Sequence, residues 1–471
     1  VTAIATRLRA LPERYGRTTL ILLAAILVVG FGLRAYVVVD PVANPADDSH
    51  AYYAISKALY EEGSFGGPEF RDSSDWSPGA PFLYAAAYYA TGGAREGAAR
   101  IVEALLGMAT ILVVFALGWR LGGRAYGRWV GLFAAVAVAV YPPFIHTTGE
   151  LMSEPPAMLT LPAAILAFLW AGDRGQPWAW LVPGALFGLT AMFRPEYLLV
   201  GAAFVVLAAI RAWRPSGTDR VVRYGRSATA RNHGWRRGLA AAAVLLVAVV
   251  LPILPWTIRN LVVLDRLVPI STGSGKALYV GTFLPADGEY QRVKAILVKR
   301  YEHRDLPPDS EALNKIDPTP LFDKVAARYP DLPRDSALGK IGKQNFSKYF
   351  GEDPLGYLAM TARKAGRIWS SGVGEAMSTT AGRVVQILLV LLGLAGFVLL
   401  ALWRRWWELT ALVTPVVLVT IVGAVSLAAP RRNEVLMTLV FPLAGLALSS
   451  GVAAIFSGRR WSPSQASSQP N

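Results

Sequence analysis

Two adjacent aspartates, Asp47 and Asp48, stand in "PADDSHAYYAISKALYEEGSFG", residues 45–66, just after the first long apolar run of the chain. Three kinds of chemistry fit an acidic pair in that place. One aspartate could cap the helix that "HAYYAISKALYEEG" predicts, because Asp is favoured at helix N-termini. The pair could recruit a divalent metal, but His50 has no partner at ligand spacing and the chain has only 4 histidines, so a metal is neither required nor indicated. Or one aspartate could be a general base. A carboxylate crowded by another in apolar surroundings suits the removal of a proton from a hydroxyl near neutral pH.

A second acidic site is "TGELMSEPPAML". Pro155 and Pro156 fit the first turn of a helix, so Ser153 or Glu154 is expected to cap it. A carboxylate there is favoured by the helix N-terminus. Glu150 and Glu154 are four apart and would face one cavity if the helix extended backward. The third set is arginine: Arg194 in "FRPEYL", Arg259 in "PWTIRN", and Arg431 and Arg432 in "APRRNE". Interface anchoring explains one or two of these. Several at one membrane boundary fit a shared anion, and the fork of donors on arginine suits a phosphate.

The elements that must position these residues are membrane helices. The 471 residues are 54% hydrophobic and 17% charged, and the mean hydropathy is +0.38. Soluble domains carry about 25% charged residues. Apolar runs of about 20 residues, the length that crosses a bilayer, recur along the chain at 18–39, 98–118, 128–145, 155–171, 178–193, 197–213, 238–257, 382–403, 406–428 and 434–456. The first reads as an anchor, since no small-residue cleavage site follows it. The net charge of +15 would suit nucleic acid, but its basic segments fall between apolar runs, where the positive-inside rule places them. Segments assigned to the inside carry 20 arginines, whereas the outer tips "FRPEY" and "APRRNE" carry three. Both termini are therefore expected inside, and the acidic and arginine sites outside. No cysteine is present, which excludes disulfides, thiolate metal sites and cysteine nucleophiles. There is no GxxxxGK[ST] motif and no inside segment large enough for a nucleotide domain.

Two outer regions follow. Residues 40–97 hold the aspartates and an amphipathic helix with Tyr52, Ile55 and Leu59 on one face. Residues 258–381 are longer than a connection requires and alternate helical periodicity with Pro/Asp-rich breaks, which predicts a small, mainly helical outer domain. The expected layout is a transmembrane module over 1–257, the outer domain over 258–381, C-terminal spans over 382–456 and a disordered cytoplasmic tail over 457–471. The arginine-rich inside loop 211–237 is expected to lie on anionic headgroups. Outer carboxylates beside outer arginines suit a phosphate-bearing lipid arriving from the bilayer and a nucleophile activated from the aqueous side.

The stretches "DDSHAYYAISKALYEEGSF", "WSPGAPFLYAAAY", "GELMSEPPAML", "LTAMFRPEYLLV" and "PWTIRNLVVLDRLVPISTGSGKALYVGT", in this order, resemble the GT-C superfamily of multi-spanning glycosyltransferases. The likeness is to bacterial relatives of protein O-mannosyltransferases and aminoarabinose transferases, over about residues 25–290 and more weakly to 450. It implies an all-α bundle of about ten transmembrane helices. It also implies an inverting transfer of a monosaccharide from a polyprenyl-phosphate donor to a lipid, glycan or protein acceptor, at the outer face of the cell membrane. The family's base is an Asp four residues before a Tyr, which falls on Asp48 and Tyr52, with Asp47 second. Its "sE" falls on Ser153–Glu154, and its Arg-Pro on Arg194–Pro195, followed by Glu196. Its PW-x-x-RN falls on Pro255–Asn260, ahead of "PIST" at 269–272. By this resemblance Glu154 would hold acceptor or sugar hydroxyls, and Arg194 and Arg259 the lipid phosphate. The chain departs at "PRRNEVLM", which keeps the arginines but lacks the family's later proline, and at Gly281–Thr282, where the family has Gly-Asn. The competing readings are a transporter or flippase of lipid-linked sugars and a lipid-binding scaffold. A transporter would bury ionisable residues mid-span and often carry inverted repeats.

Overall fold

The computed structural model describes residues 15–41, 47–66, 74–213 and 234–457; the side chain of Asp47 is outside that description. Also outside it lie most of the basic N-terminus, the greater part of the expected headgroup-facing loop and nearly all of the expected cytoplasmic tail. Among the described residues there is no strand.

The chain begins with α1 (Arg17–Val39), then α2 (Asp47–Glu61) and α3 (Gly79–Thr91), which lead into α4 (Glu96–Val140) and the short α5 (Pro142–His146). α6 (Glu154–Arg174) follows, then a 3-10 turn over Pro177–Trp180, α7 (Leu181–Phe193), α8 (Tyr197–Trp213) and α9 (Gly234–Leu264). The helices of the polar region are α10 (Ser274–Gly281), α11 (Tyr290–Glu302), α12 (Glu311–Asn314), α13 (Thr319–Ala326), α14 (Arg334–Glu352), α15 (Pro354–Ser370) and α16 (Glu375–Ser378). The chain closes with α17 (Thr380–Leu402), α18 (Trp406–Val425) and α19 (Arg431–Ser457).

Seven of these, α1, α4, α6, α9, α17, α18 and α19, are long and apolar enough to cross a membrane. The segments Pro177–Phe193 and Tyr197–Trp213 are apolar but shorter. This is a multi-pass, all-α membrane protein. Each of the ten expected spans falls on helix, and two of them share α4. That element is a helical hairpin whose chain reverses at Gly123 (φ 59°, ψ −153°), a conformation open essentially to glycine alone. The limbs touch at once: a Cβ on Gly122 would lie 2.6 Å from the Gly127 nitrogen, and one on Gly118 2.9 Å from the Val130 carbonyl.

Two boundaries differ from expectation by five residues or more. The third span ends at Val140 rather than 145, because Tyr141, held extended before Pro142–Pro143, cannot continue a helix. α9 runs seven residues past 257 to Leu264, so "PWTIRN" lies within a helix and not at its edge.

The expected spans also contain buried charge. Arg34 in α1 is buried and donates to the carbonyls of Val138 (3.0 Å) and Ala139 (3.2 Å). It thereby satisfies the open C-terminus of α4, an end that also favours positive charge.

The polar region forms its own helical unit around Val280, Val293, Leu297, Phe322, Leu338 and Ile341. α15 ties it to the bundle through the Trp369 indole, which donates to Thr420 of α18 (3.1 Å). Gly281 backs onto Ser426, whose carbonyl would lie 2.2 Å from an added Cβ.

Candidate active site

One end of the bundle gathers the starts of α2, α6 and α19 and the link between α7 and α8, and each brings a charge. α6 opens at Glu154 because Pro155 and Pro156 fit a first turn that needs no donor. α7 stops at Arg194, extended (φ −138°, ψ 100°) before Pro195. α19 starts at Arg431, directly after Pro430.

The side chains form an alternating chain of three acids and three arginines. Asp48 pairs with Arg431, and Arg431 also stands 3.8 Å from Glu154. Glu154 pairs with Arg194, which bonds Glu196 through Nε (3.1 Å) and Nη2 (2.8 Å). Arg432 closes the series 3.6 Å from Glu196. Glu154 is almost wholly buried, and Arg194 nearly so. Burial alone would push the Glu196 carboxyl up, but Arg194, with Arg432 behind it, holds it down to about 2. Burial would likewise lower Arg194, and Glu154 and Glu196 instead raise it well above the ordinary arginine value.

Tyr52, one turn beyond Asp48 on α2, is buried against this chain. Its hydroxyl is pushed up first by burial, then by the charges of Asp48 and Glu154. Of the face expected from Tyr52, Ile55 and Leu59, the first two are buried and Leu59 is half-buried, while Lys57, Glu61 and Glu62 are exposed. His50 is exposed on the same helix. Among the described residues, no group of three or more His, Asp and Glu side chains is arranged to hold a metal ion.

Two expectations for "GELMSEPP" are corrected. Ser153 makes no capping bond; its hydroxyl donates to the Glu154 carboxylate instead (3.2 Å). The helix does not extend back to Glu150. Residues 150–153 are irregular, and Glu150 lies 3.7 Å from His146. The segment is held from outside. The Glu103 carboxylate accepts from the Met152 amide (2.9 Å) and from the Tyr84 hydroxyl. The Leu151 amide donates to Ser49 (3.0 Å) and Arg100 Nε to the Gly149 carbonyl (3.1 Å).

Sequence reasoning missed Glu103, Tyr84, Ser49 and Arg100. For Glu103 the signal was present: a lone acid inside an apolar span has a partner or a function. It also passed over Glu434, which is fully buried, with neither carboxylate oxygen hydrogen-bonded among the described residues.

The "PW-x-x-RN" and "PIST" segments meet, but Asn260 is spent on holding them together. Its amide donates to the carbonyls of Val268 (3.0 Å) and Ile270 (3.1 Å), and its oxygen accepts from Ser74 (3.1 Å) and Arg259 (3.1 Å). Trp256 Nε1 donates to Ile270 as well (2.6 Å). Arg259 lies over the rings of Trp256 (4.8 Å) and Phe65 (5.5 Å). It borders an apolar cavity of about 510 Å³ whose lining includes Phe65, Phe82, Met192, Pro255 and Trp256. Met192, two residues before Arg194 in the sequence, lines the cavity, whereas none of the six members of the charged chain does.

A protein-family profile described as dolichyl-phosphate-mannose-protein mannosyltransferase matches residues 75–256, less than half of the chain. No curated protein matches the sequence. Among solved structures, the chain is similar to the Archaeoglobus fulgidus oligosaccharyltransferase AglB in complex with an inhibitory peptide and a dolichol-phosphate. The TM-score is 0.50 at 14% identity, over 98% of this chain and 53% of that one. The apo form of the Archaeoglobus fulgidus enzyme gives 0.51 at 15% identity, over 96% and 53%. ArnT from Cupriavidus metallidurans bound to undecaprenyl phosphate aligns at 0.37 and 14% identity, over 92% and 78%, too low to bear on the fold. The chain spans about half the length of the archaeal structures. At this identity the likeness is one of fold: the chain shares the fold of the archaeal oligosaccharyltransferase.

Proposed function

We propose that the chain is a membrane glycosyltransferase that moves a monosaccharide, with inversion, from a polyprenyl-phosphate donor to an acceptor hydroxyl. The acceptor is a lipid, a glycan or a protein, and the reaction takes place at the outer face of the cell membrane, with both termini inside. The observation that carries this reading is the presence of two unlike features: a chain of paired carboxylates and arginines, and an apolar cavity with Arg259 at its edge. The cavity suits a prenyl chain, and Arg259 and Arg431 suit the phosphate that the chain carries. A donor of this class agrees with the family profile over 75–256 and with the dolichol-phosphate in the archaeal complex of the same fold.

In the step itself Asp48 takes the proton of the acceptor hydroxyl as its oxygen attacks the anomeric carbon. The bond from that carbon to the phosphate oxygen breaks, and its electron pair leaves with the polyprenyl phosphate. Negative charge grows on the leaving phosphate, where guanidinium groups stabilise it most in the transition state. Arg194 is locked between Glu154 and Glu196, so its part is to fix Glu154 rather than to meet the donor. Glu154, almost fully buried, in turn sets the position of Arg431. Asn260 fixes the wall that carries Arg259. No metal is needed for charge neutralisation where arginines supply it.

The test is sugar transfer from polyprenyl-phosphate donors by the protein in membranes or nanodiscs, with Asp48→Asn as the variant. Transfer by the wild type, lowered at least about 100-fold in the variant, matches the usual contribution of a general base. Undiminished transfer by folded Asp48→Asn refutes the assignment of the base. Translocation of a lipid-linked sugar without transfer supports the flippase reading instead.

A further inference from the structure

In the site as it stands the general base is not free. Asp48 is ion-paired with Arg431 through Oδ2, so that oxygen meets a guanidinium where an acceptor hydroxyl would have to come. Proton removal by this oxygen requires Arg431 to leave it, and something must receive the arginine.

The three arginines of the site are not equally able to move. Arg194 bonds two buried carboxylates at once, and its side chain is 11% exposed. Arg432 is 14% exposed and sits against Glu196. Arg431 is 38% exposed and its partner Asp48 23%, which makes this pair the open end of the chain. The second carboxylate near Arg431, Glu154, is 3.8 Å from Nε and already held by Arg194. Its backbone is firm all the same: the next residue but one, Asn433, donates to the carbonyls of Ile368 (2.6 Å) and Ser371 (2.7 Å). The helix start is thus fixed while the guanidinium can turn on its flexible stem.

We propose that the donor's phosphate takes Arg431 from Asp48, so that the base is released only when the polyprenyl-phosphate sugar is in place. This rests on the functional reading above. The arginine then serves twice: before donor binding it covers the base, and after it neutralises the phosphate. The exchange orders the reaction, donor before acceptor, and keeps an uncovered base from activating water against an incompletely seated donor. It also means that Asp48 and the phosphate compete for one cation, so the base resists donor binding.

That competition makes a counter-intuitive result measurable without any transfer assay. The probes are undecaprenyl phosphate, and undecaprenol as the control for the chain alone, titrated calorimetrically into the full-length protein in detergent. Asp48→Asn removes the competing charge and is expected to bind the phosphate about tenfold more tightly than wild type, the scale of one charge-assisted hydrogen bond. Asp48→Ser serves as a second variant should the amide keep a bond to the guanidinium. Arg431→Gln is expected to bind it about tenfold more weakly, and in that background Asp48→Asn should change nothing.

Thermal unfolding confirms that each protein is folded. Equal or weaker binding by both Asp48 variants overturns the exchange. So does tightening that persists without Arg431, since that would reflect plain charge repulsion. If wild type binds the phosphate no better than the alcohol, the functional reading fails and the exchange with it. If wild type binds the phosphate selectively and the Asp48 variants do not bind it more tightly, the exchange alone fails.

Discussion

Replacing Arg194 by methionine removes the cation that holds two buried carboxylates, and the cost can be worked from either side. Glu196 is held from 4.5 down to about 2, and Arg194 is the strongest of the groups that hold it there. At about 1.4 kcal/mol per unit that is about 3 kcal/mol, part of which Arg432 retains. Glu154, almost wholly buried, would keep Arg431 at 3.8 Å and the Ser153 hydroxyl at 3.2 Å.

Removing one partner of a buried pair costs about 3–5 kcal/mol, and Arg194→Met is expected in that range. The sign with pH follows from the depressed value of Glu196. Its contribution is complete above the unfolded carboxylate value and is lost as pH falls from about 4.5 towards 2.

The assay is a double-mutant cycle in detergent, read by unfolding of wild type, Arg194→Met, Glu196→Gln and the double variant. Neutralising Glu196 in the Arg194→Met background removes one stranded charge, so the double variant should lose at least about 1 kcal/mol less than the sum of the singles. An additive cycle, or an Arg194→Met cost below about 1 kcal/mol, refutes the claim that this arginine holds the centre of the charged chain.

Two further outcomes follow from other parts of the fold. Lys364 of α15 is fully buried and donates to the Gly281 carbonyl (2.7 Å). Burial first, and Arg367 next, lower it from 10.5 to about 7 against the pull of Asp287. Between those values the unfolded chain binds a proton that the folded chain does not, so stability rises with pH from about 7 to 10.5. Lys364→Met should therefore unfold at higher temperature at pH 7 and lose that rise; an unchanged pH profile counts against it. Gly123→Ala meets open space but cannot relax its backbone, and should cost about 1–3 kcal/mol in thermal unfolding. A neutral substitution would show that the hairpin can turn otherwise.

The membrane class, the places of the helices and the helical character of the polar region were legible in the sequence, because bilayer thickness and helical rise demand long apolar runs whatever the packing. Proline placed the starts of α6 and α19 and the end of α7 for a local reason: it removes a donor and restricts the residue before it. The resemblance singled out Asp48, Glu154 and Arg194, and the arginines at one membrane boundary brought in Arg431, but as separate groups awaiting a substrate. Which charges neutralise which was beyond reach, since Asp48 and Arg431 are 383 positions apart and only the approach of α2 to α19 pairs them. The same holds for Glu103, whose partners lie on α3 and in the 147–153 segment, and for Asn260, a conspicuous motif residue that tertiary contacts turn into a clamp. Sequence determined which residues carry charge and which stretches enter the membrane, because both depend on composition and local backbone rules. Tertiary structure alone decided that Arg194, Arg431 and Arg432, expected for a phosphate, are already paired with carboxylates, because burying a charge requires a partner and only the folded chain supplies one.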